Sequence, residues 1–287
     1  MKISSIVLLN NKSIKKFQKT IWDFYKNNKR DFPWRTTKNP YHILISEVML
    51  QQTQAERVVV YYQKFIKYFP NFTSLAKAKF SQIYPLWQGL GYNRRALALQ
   101  KTAQKAVQEY KGKLPQDISL LEEFPGIGPY TARAISIFSF NTPVACIETN
   151  IRRVFIHHFF PLRHSSGQAK KIDDREILAV AEQTLDKKNS REWHWALMDY
   201  GAYLKSTVPN PNRRHKNYSI QSTFEGSLRQ IRGTALKMLS VRPMDINELT
   251  ERLKKATSQT KERIKKVILA LEKEGLITCD KKFYSLK

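Results

Sequence analysis

Acidic residues, cysteine and long apolar runs are what this sequence has least of. Its 24 Asp and Glu face 50 Lys and Arg, a formal charge of +26 at pH 7, and the pI is near 10.0. So lopsided a balance calls for a polyanionic partner, because each phosphate neutralised by Lys or Arg releases counterions. Nucleic acid is the expected partner. No apolar run approaches the ~20 residues of a spanning helix. The opening MKISSIVLLNN has too short an apolar patch for a secretory leader and no small-residue cleavage site. A membrane is therefore not expected, and the reading is a cytoplasmic chain, associated with the nucleoid if bacterial. Two cysteines, Cys146 and Cys279, are too few for a disulfide framework or a four-thiolate metal site. No HExxH-type spacing occurs, so no metal is expected from a known motif.

Alternating strand patterns are nearly absent from the first two thirds. Apolar residues instead recur at helical spacing through IKKFQKTIWDFYKNN, YHILISEVMLQQTQAERVVVYYQKFIKYF, FSQIYPLWQGL, NRRALALQKTAQKAVQEY, ISLLEEF and PYTARAISIFSF. Short connectors such as KNP, GYN, KGKLPQD and PGIGP turn the corners. The fold class expected is all-α. TVPNPNRRHKNYSIQSTFEGS reads as an irregular basic segment, after which SLRQIRGTALKMLS, DINELTERLKKAT and SQTKERIKKVILALEKEG restart the helical pattern. Asp245 and Ser258 or Thr260 are plausible caps for the last two. LITCDKKFYSL then alternates like a hairpin turning at Asp280-Lys281. Three helices and a hairpin suggest a winged-helix-like module, with a plain helical appendage as the other reading.

Two stretches carry chemistry. In LEEFPGIGPYTARAIS, Gly126 and Gly128 can take backbone angles closed to other residues, and the following helix start aims free N–H groups outward. Such a nest suits a phosphate oxygen. In PVACIETNIRR, Glu148 stands at the boundary between a strand-like run and a basic helix start. Taken alone it reads as a helix cap, whose side-chain oxygen accepts orphan backbone N–H groups.

FPGIGPYTARAIS resembles the helix-hairpin-helix of the DNA glycosylase superfamily that includes endonuclease III. NPYHILISEVMLQQTQAERVVVYYQKFIKYFP and LWQGLGYNRRALAL are similar to the MutY-type adenine DNA glycosylases, and the likeness runs from about Phe32 to Ala202. The resemblance implies two helical lobes around a DNA-binding cleft. Residues 31–140 would form a six-helix lobe, 1–30 with 141–225 a second lobe, and 226–287 the winged-helix-like module. It implies base-excision repair by base flipping and hydrolysis of the N-glycosidic bond, removing adenine mispaired with guanine or 8-oxoguanine. Two alternatives stay open: a glycosylase shifted to another purine or to T or U in mismatches, and a catalytically weak DNA-binding protein. The partner implied is duplex DNA with a mismatch or oxidised base, bound by a monomer.

Residue by residue, the resemblance makes Glu47 the acid that protonates adenine. Its neighbours Ile43, Leu44, Val48 and Leu50 supply apolar surroundings, which raise a carboxyl pKa as a proton donor needs. Glu148 matches the catalytic carboxylate facing the sugar cation, in register with Asn150 and Arg153. Gln51 and Gln52 match the wedge that fills the hole left by a flipped base, and Tyr92 a residue inserted beside it. Arg94, Gly126, Gly128 and Arg153 complete the DNA-binding set.

Four departures qualify the match. The family carries Asp where Glu148 stands, and one extra methylene moves a carboxylate by about 1 Å, enough to cost ~100-fold in rate. Tyr130 occupies the position of the lysine nucleophile of lyase-competent relatives, and a phenol forms no Schiff base, so base removal without efficient strand cleavage is expected. The family's four cluster cysteines are replaced by Lys205, Asn212, His215 and Gln221, so no iron-sulfur cluster and no other cofactor are expected. Arg213, Arg214 and Lys216 are then candidates for meeting the phosphate backbone. The resemblance implies a Nudix-like domain after this body, and none is expected in the residues after Phe224; the polar surface of the last helix, with Lys261, Arg263, Lys265 and Lys266, offers further phosphate contacts.

Overall fold

The computed structural model describes residues 8–160 and 171–287; the reading of the first seven residues against a secretory leader lies outside them. The described chain is helical, with three short strands among the described residues, all near the C-terminus. No helix among the described residues is long and apolar enough to cross a membrane.

Contacts gather the chain into two compact units. The first comprises Met1–Ile43, Gln116–Glu122 and Ile127–Ile220, and the second Leu44–Pro115, Glu123–Gly126 and Gln221–Lys287. In the first, α1 (Asn11–Asn28), α8 (Pro129–Phe140), α9 (Thr149–Phe159), α10 (Asp174–Thr184) and α11 (Ser190–Thr207) surround a core of Phe17, Ile21, Ile135, Val154, Phe155 and Trp193. Phe17 meets Phe155, Phe159 and Trp193 with ring centroids 4.8–5.9 Å apart, a cluster that orients α1 against α9 and α11. Asp199 on α11 is 1% exposed and receives Arg30 Nε at 2.6 Å and both Arg35 terminal nitrogens at 2.8 Å. Removing Asp199 would leave two arginines without their shared anion, so this triad fixes the turn after α1 on α11.

The second unit holds α3 (Ala55–Tyr68), α4 (Phe72–Lys77), α5 (Phe80–Trp87) and α6 (Arg94–Tyr110), around Phe65, Leu75, Phe80, Tyr84 and Trp87. α2 (Pro40–Leu50) leads into it, and α7 (Ile118–Glu122) precedes the Gly126 turn. The continuous periodicity from Tyr41 to Phe69 is broken: α2 and α3 are separate helices, with Gln52 in the left-handed region at φ 55°. Periodicity misses the break because Gln51–Gln54 contains neither Gly nor Pro, the residues that usually announce one.

The C-terminal module belongs to this second unit. Its order is α12 (Leu228–Leu239), β1 (Met244–Asp245), α13 (Ile246–Thr257), α14 (Lys261–Lys273), β2 (Ile277–Asp280) and β3 (Phe283–Leu286). The antiparallel sheet runs β1-β3-β2, a winged-helix-like arrangement. Asp245 caps α13 and Thr260 caps α14, whereas Ser258 closes α13 in a left-handed conformation. The hairpin turns one residue later than expected. Asp280 pairs with Phe283, so Lys281 and Lys282, both at positive φ, form the two-residue loop.

Candidate active-site and nucleic-acid-binding residues

Glu148, Asn150 and Arg153 belong to the first unit and meet at the start of α9. Glu148 is its N-cap: one carboxylate oxygen accepts the backbone N–H of Asn150 at 2.7 Å and of Ile151 at 2.8 Å, and the other accepts Asn150 Nδ2 at 3.3 Å. Burial pushes the Glu148 carboxyl above its ordinary range, against the lowering pull of those two amides and of Arg153 and Arg152. Arg153 is buried and donates to Asn150 Oδ1 at 2.7 Å and to the Gly201 carbonyl at 2.6 Å. The capping role and the register with Asn150 and Arg153 thus coexist in one side chain.

The segment before Glu148 has no regular secondary structure. Side chains hold it instead. Arg133 donates to the Ala145 carbonyl at 2.9 Å, and the Cys146 amide donates to His194 Nε2 at 3.3 Å. His194 Nδ1 then donates to the Ser190 carbonyl at 2.6 Å, which assigns the neutral tautomer. Burial lowers the His194 pKa to about 4, so the ring stays an acceptor for Cys146 at neutral pH.

Gly128 caps α8 and Tyr130 lies half-buried in its first turn. Only one of the two hairpin glycines uses special backbone freedom. Gly126 sits at φ 78° with its hydrogen facing Ala98, where a β-carbon would stand 2.7 Å from the Ala98 methyl. Gly128 adopts an extended conformation open to any residue, with free space on the side where a β-carbon would project. Its missing side chain leaves the start of α8 accessible, and accessibility is what an anion needs at a helix N-terminus.

The polar loop after α11 is pinned by side chains. Asn212 Nδ2 donates to the Thr149 carbonyl at 2.9 Å, and His215 Nε2 lies 3.2 Å from Asp174, which also receives a bidentate Arg152 at 2.7 and 2.8 Å. Arg214 donates to the Phe160 carbonyl and so anchors the loop, which leaves Arg213 and Lys216 as its exposed cations. The resemblance implies an iron-sulfur cluster along this stretch, and the residues do not fit one. Lys205, Asn212, His215 and Gln221 offer no thiolate, and Asn212 and His215 serve the hydrogen bonds just described.

Glu47, Gln51, Gln52, Tyr92 and Arg94 belong to the second unit. Glu47 is 6% exposed on α2, where its sequence neighbours Leu44, Ile45, Val48 and Met49 are buried too, so the exposed-helix reading of this acid is excluded. Gln52 and Tyr92 stand on two turns, both in the left-handed region at φ 55° and 47°. Arg95 ties these turns together. Its guanidinium donates to the carbonyls of Val48 at 2.7 Å, Met49 at 3.2 Å and Gln51 at 2.7 Å, and on its other side to Leu90 at 3.1 Å and Gly91 at 3.0 Å. It thereby satisfies the open carbonyl end of α2 and stacks on Trp87 and Tyr92 at 5.4 and 5.6 Å. Burial lowers its pKa to about 10. Arg94, chosen from the sequence, is exposed and ion-paired with Glu274. Two adjacent arginines after a turn look alike in sequence; only the carbonyl ends they meet distinguish them.

Residues 45–176 match the HhH-GPD superfamily of base excision DNA repair proteins. An adenine DNA glycosylase of Mycobacterium tuberculosis (strain CDC 1551 / Oshkosh) is 30% identical over 234 residues, 75% of this chain and 76% of that one. The chain belongs to the HhH-GPD superfamily. The adenine DNA glycosylase of Buchnera aphidicola subsp. Baizongia pistaciae (strain Bp) is 36% identical over 66% of this chain, and the chain spans 52% of its length. Among solved structures, a thermostable thymine-DNA glycosylase superposes with a TM-score of 0.61 and 28% identity, covering 72% of this chain and 94% of its own. The two curated Buchnera relatives that match first are thus only about half spanned, 52% and 51%. The HhH-GPD match takes in Glu47, Gln51, Gln52, Tyr92, the Gly126–Gly128 hairpin and the Glu148–Arg153 turn.

Proposed function

We propose that this chain is a monofunctional DNA glycosylase that removes mispaired adenine from duplex DNA, opposite guanine or 8-oxoguanine. The observation that carries the reading is the Glu148 turn. Its carboxylate is oriented by two backbone amides and the Asn150 amide, as an anion facing a developing sugar cation must be. Relatives 30–36% identical to it are named adenine DNA glycosylases, which favours adenine as the leaving base. Glu47, buried on α2, is the proton donor to the departing base, and Gln51, Gln52 and Tyr92 fill the space it leaves. Tyr130 in place of an amine nucleophile confines the product to an abasic site. No cofactor takes part: the loop that would ligate a cluster is held by Asn212, His215 and Arg214.

Single-turnover assays on duplexes carrying A opposite 8-oxoguanine, A opposite G, T opposite G, and hypoxanthine test the reading. Adenine release should be fastest, with strand cleavage appearing only after alkali. Faster thymine release from T opposite G would replace the adenine assignment, a second reading that the likeness to the thymine-DNA glycosylase favours. Tight binding with no base released from any duplex would sink the enzymatic reading.

A further inference from the structure

The C-terminal module is latched to the turn that carries Tyr92, all within the second unit. Glu274, at the end of α14, accepts from Arg232 of α12 and from Arg94 of α6. Against the raising effect of burial, these two arginines hold its carboxyl down at about 2. Gln221 donates to the Tyr92 hydroxyl, as does Arg229 at 3.4 Å, and the Ser81 amide donates to the Lys287 carbonyl at 2.8 Å. An open cavity of about 460 Å³ lies beside Arg229. Its lining includes Ser222, Glu225 and Arg229 on the segment that meets Tyr92, and Arg263 on α14.

Several of the module's charges are already taken up in ion pairs. Glu248 is paired with Arg242 and Arg252, Glu251 with Lys261, and Glu274 with Arg94 and Arg232. Besides the paired Lys261, α14 exposes Lys265, Lys266, Lys273 and Arg263, the last of which donates to Gln259, together with Glu262 and Leu269; the hairpin exposes Lys281 and Lys282 beside Asp280. The opposite side of α14, Ile264, Val267, Ile268 and Leu271, is buried. The exposed surface is therefore net cationic, and Glu274 at the end of the same helix is paired with Arg94, two residues after Tyr92.

We propose that the exposed face of α14 and the β2–β3 hairpin form a second contact with duplex DNA, on the phosphate backbone flanking the lesion, held in register with Tyr92 by Glu274 and Arg229. Its position beside the lesion rests on the glycosylase reading, whereas its affinity for phosphate does not. Four lysines meeting phosphates add close to four units to the salt dependence of binding, at ~0.9 per contact.

The test uses the full-length chain with Lys265, Lys266, Lys281 and Lys282 all changed to Glu, and a milder variant with the same four changed to Gln. Binding is read by fluorescence anisotropy over a salt series on duplexes of ~12 and ~30 base pairs, each with a central uncleavable abasic analogue. On the long duplex the Glu variant should bind at least about tenfold more weakly and the Gln variant show a shallower salt slope; on the short duplex both should stay within about twofold of the parent. Equal losses on both lengths, or no loss in either variant, would overturn the proposal. If the parent released no base yet the length-dependent loss appeared, the glycosylase reading would fall and this surface would stand.

Discussion

A β-carbon on Gly201 would stand 2.3 Å from the carbonyl oxygen of Asn150. Here α11 packs directly on α9, two residues along the chain from Glu148. Gly201 also accepts Arg153, which in turn holds Asn150. The obstructing atoms are backbone, so a side chain here forces the two helices apart. Gly201→Ala should cost about 1–3 kcal/mol, the usual range for overpacking, and lower single-turnover base release by displacing the Asn150 turn. Urea denaturation alongside the rate assay checks both, and an unchanged midpoint would contradict the packing argument.

Arg95→Lys keeps the charge and loses the fork. An ammonium cannot span the carbonyls of Val48 and Gln51 on one side and of Leu90 and Gly91 on the other. Stability should fall by roughly 1–3 kcal/mol, the cost of leaving buried acceptors unpaired. The turns carrying Gln52 and Tyr92 should lose their mutual register. With 2-aminopurine as the target base, the fluorescence rise on flipping should shrink in this variant. Arg94→Lys, at an exposed ion pair, should retain it. Equal behaviour of the two variants would refute the positioning role of Arg95.

Helices and caps were largely readable because they are local: apolar spacing located α1, α6, α8 and α12 to α14, and Asp245, Thr260 and Glu148 cap where short-range hydrogen bonding says they should. What escaped depends on partners distant in sequence. The Gln51–Gln54 break is stabilised by Arg95, more than 40 residues away, and β1 exists because β3 pairs with it. Gly201 gave no signal of its own, since nothing nearby in sequence reveals that Asn150 packs against it. Among the site residues, the buried setting of Glu47 followed from its apolar neighbours, whereas the anchoring role of Arg214 required the position of Phe160.

The His194 ring makes stability depend on pH in a definite direction. Its pKa falls from an ordinary 6.5 to about 4 in the folded chain, through burial, and His158 falls to about 4 for the same reason, with a smaller push from His157. Between these values the unfolded chain binds protons that the folded chain refuses. Their contribution is complete above pH ~6.5 and is lost as pH drops towards ~4. Protonation at Nε2 would also remove the acceptor for the Cys146 amide. The melting temperature should decline across that window, and His194→Gln should flatten part of the decline. A variant with the parent's full pH dependence would rule out His194 as its source.

Glu148 tests whether cap and catalyst are separable. In Glu148→Gln the side-chain oxygen still accepts from Asn150 and Ile151, so the helix start keeps its cap and stability should change by less than about 1 kcal/mol. The negative charge is gone, and base release should fall at least ~100-fold, the scale for losing one preorganised electrostatic partner. Glu148→Asp keeps the charge, and a shorter carboxylate still reaches the same two amides, since Asp is an efficient N-cap. Its rate should stay within about tenfold of the parent. Because burial raises the Glu148 pKa above its ordinary 4.5, the parent's rate should begin to fall with decreasing pH above that value. That limb should be absent from the residual rate of the Gln variant. A Gln variant as fast as the parent would leave Glu148 with the cap alone, and a large loss in the Asp variant would mean that the longer side chain sets the position of the charge.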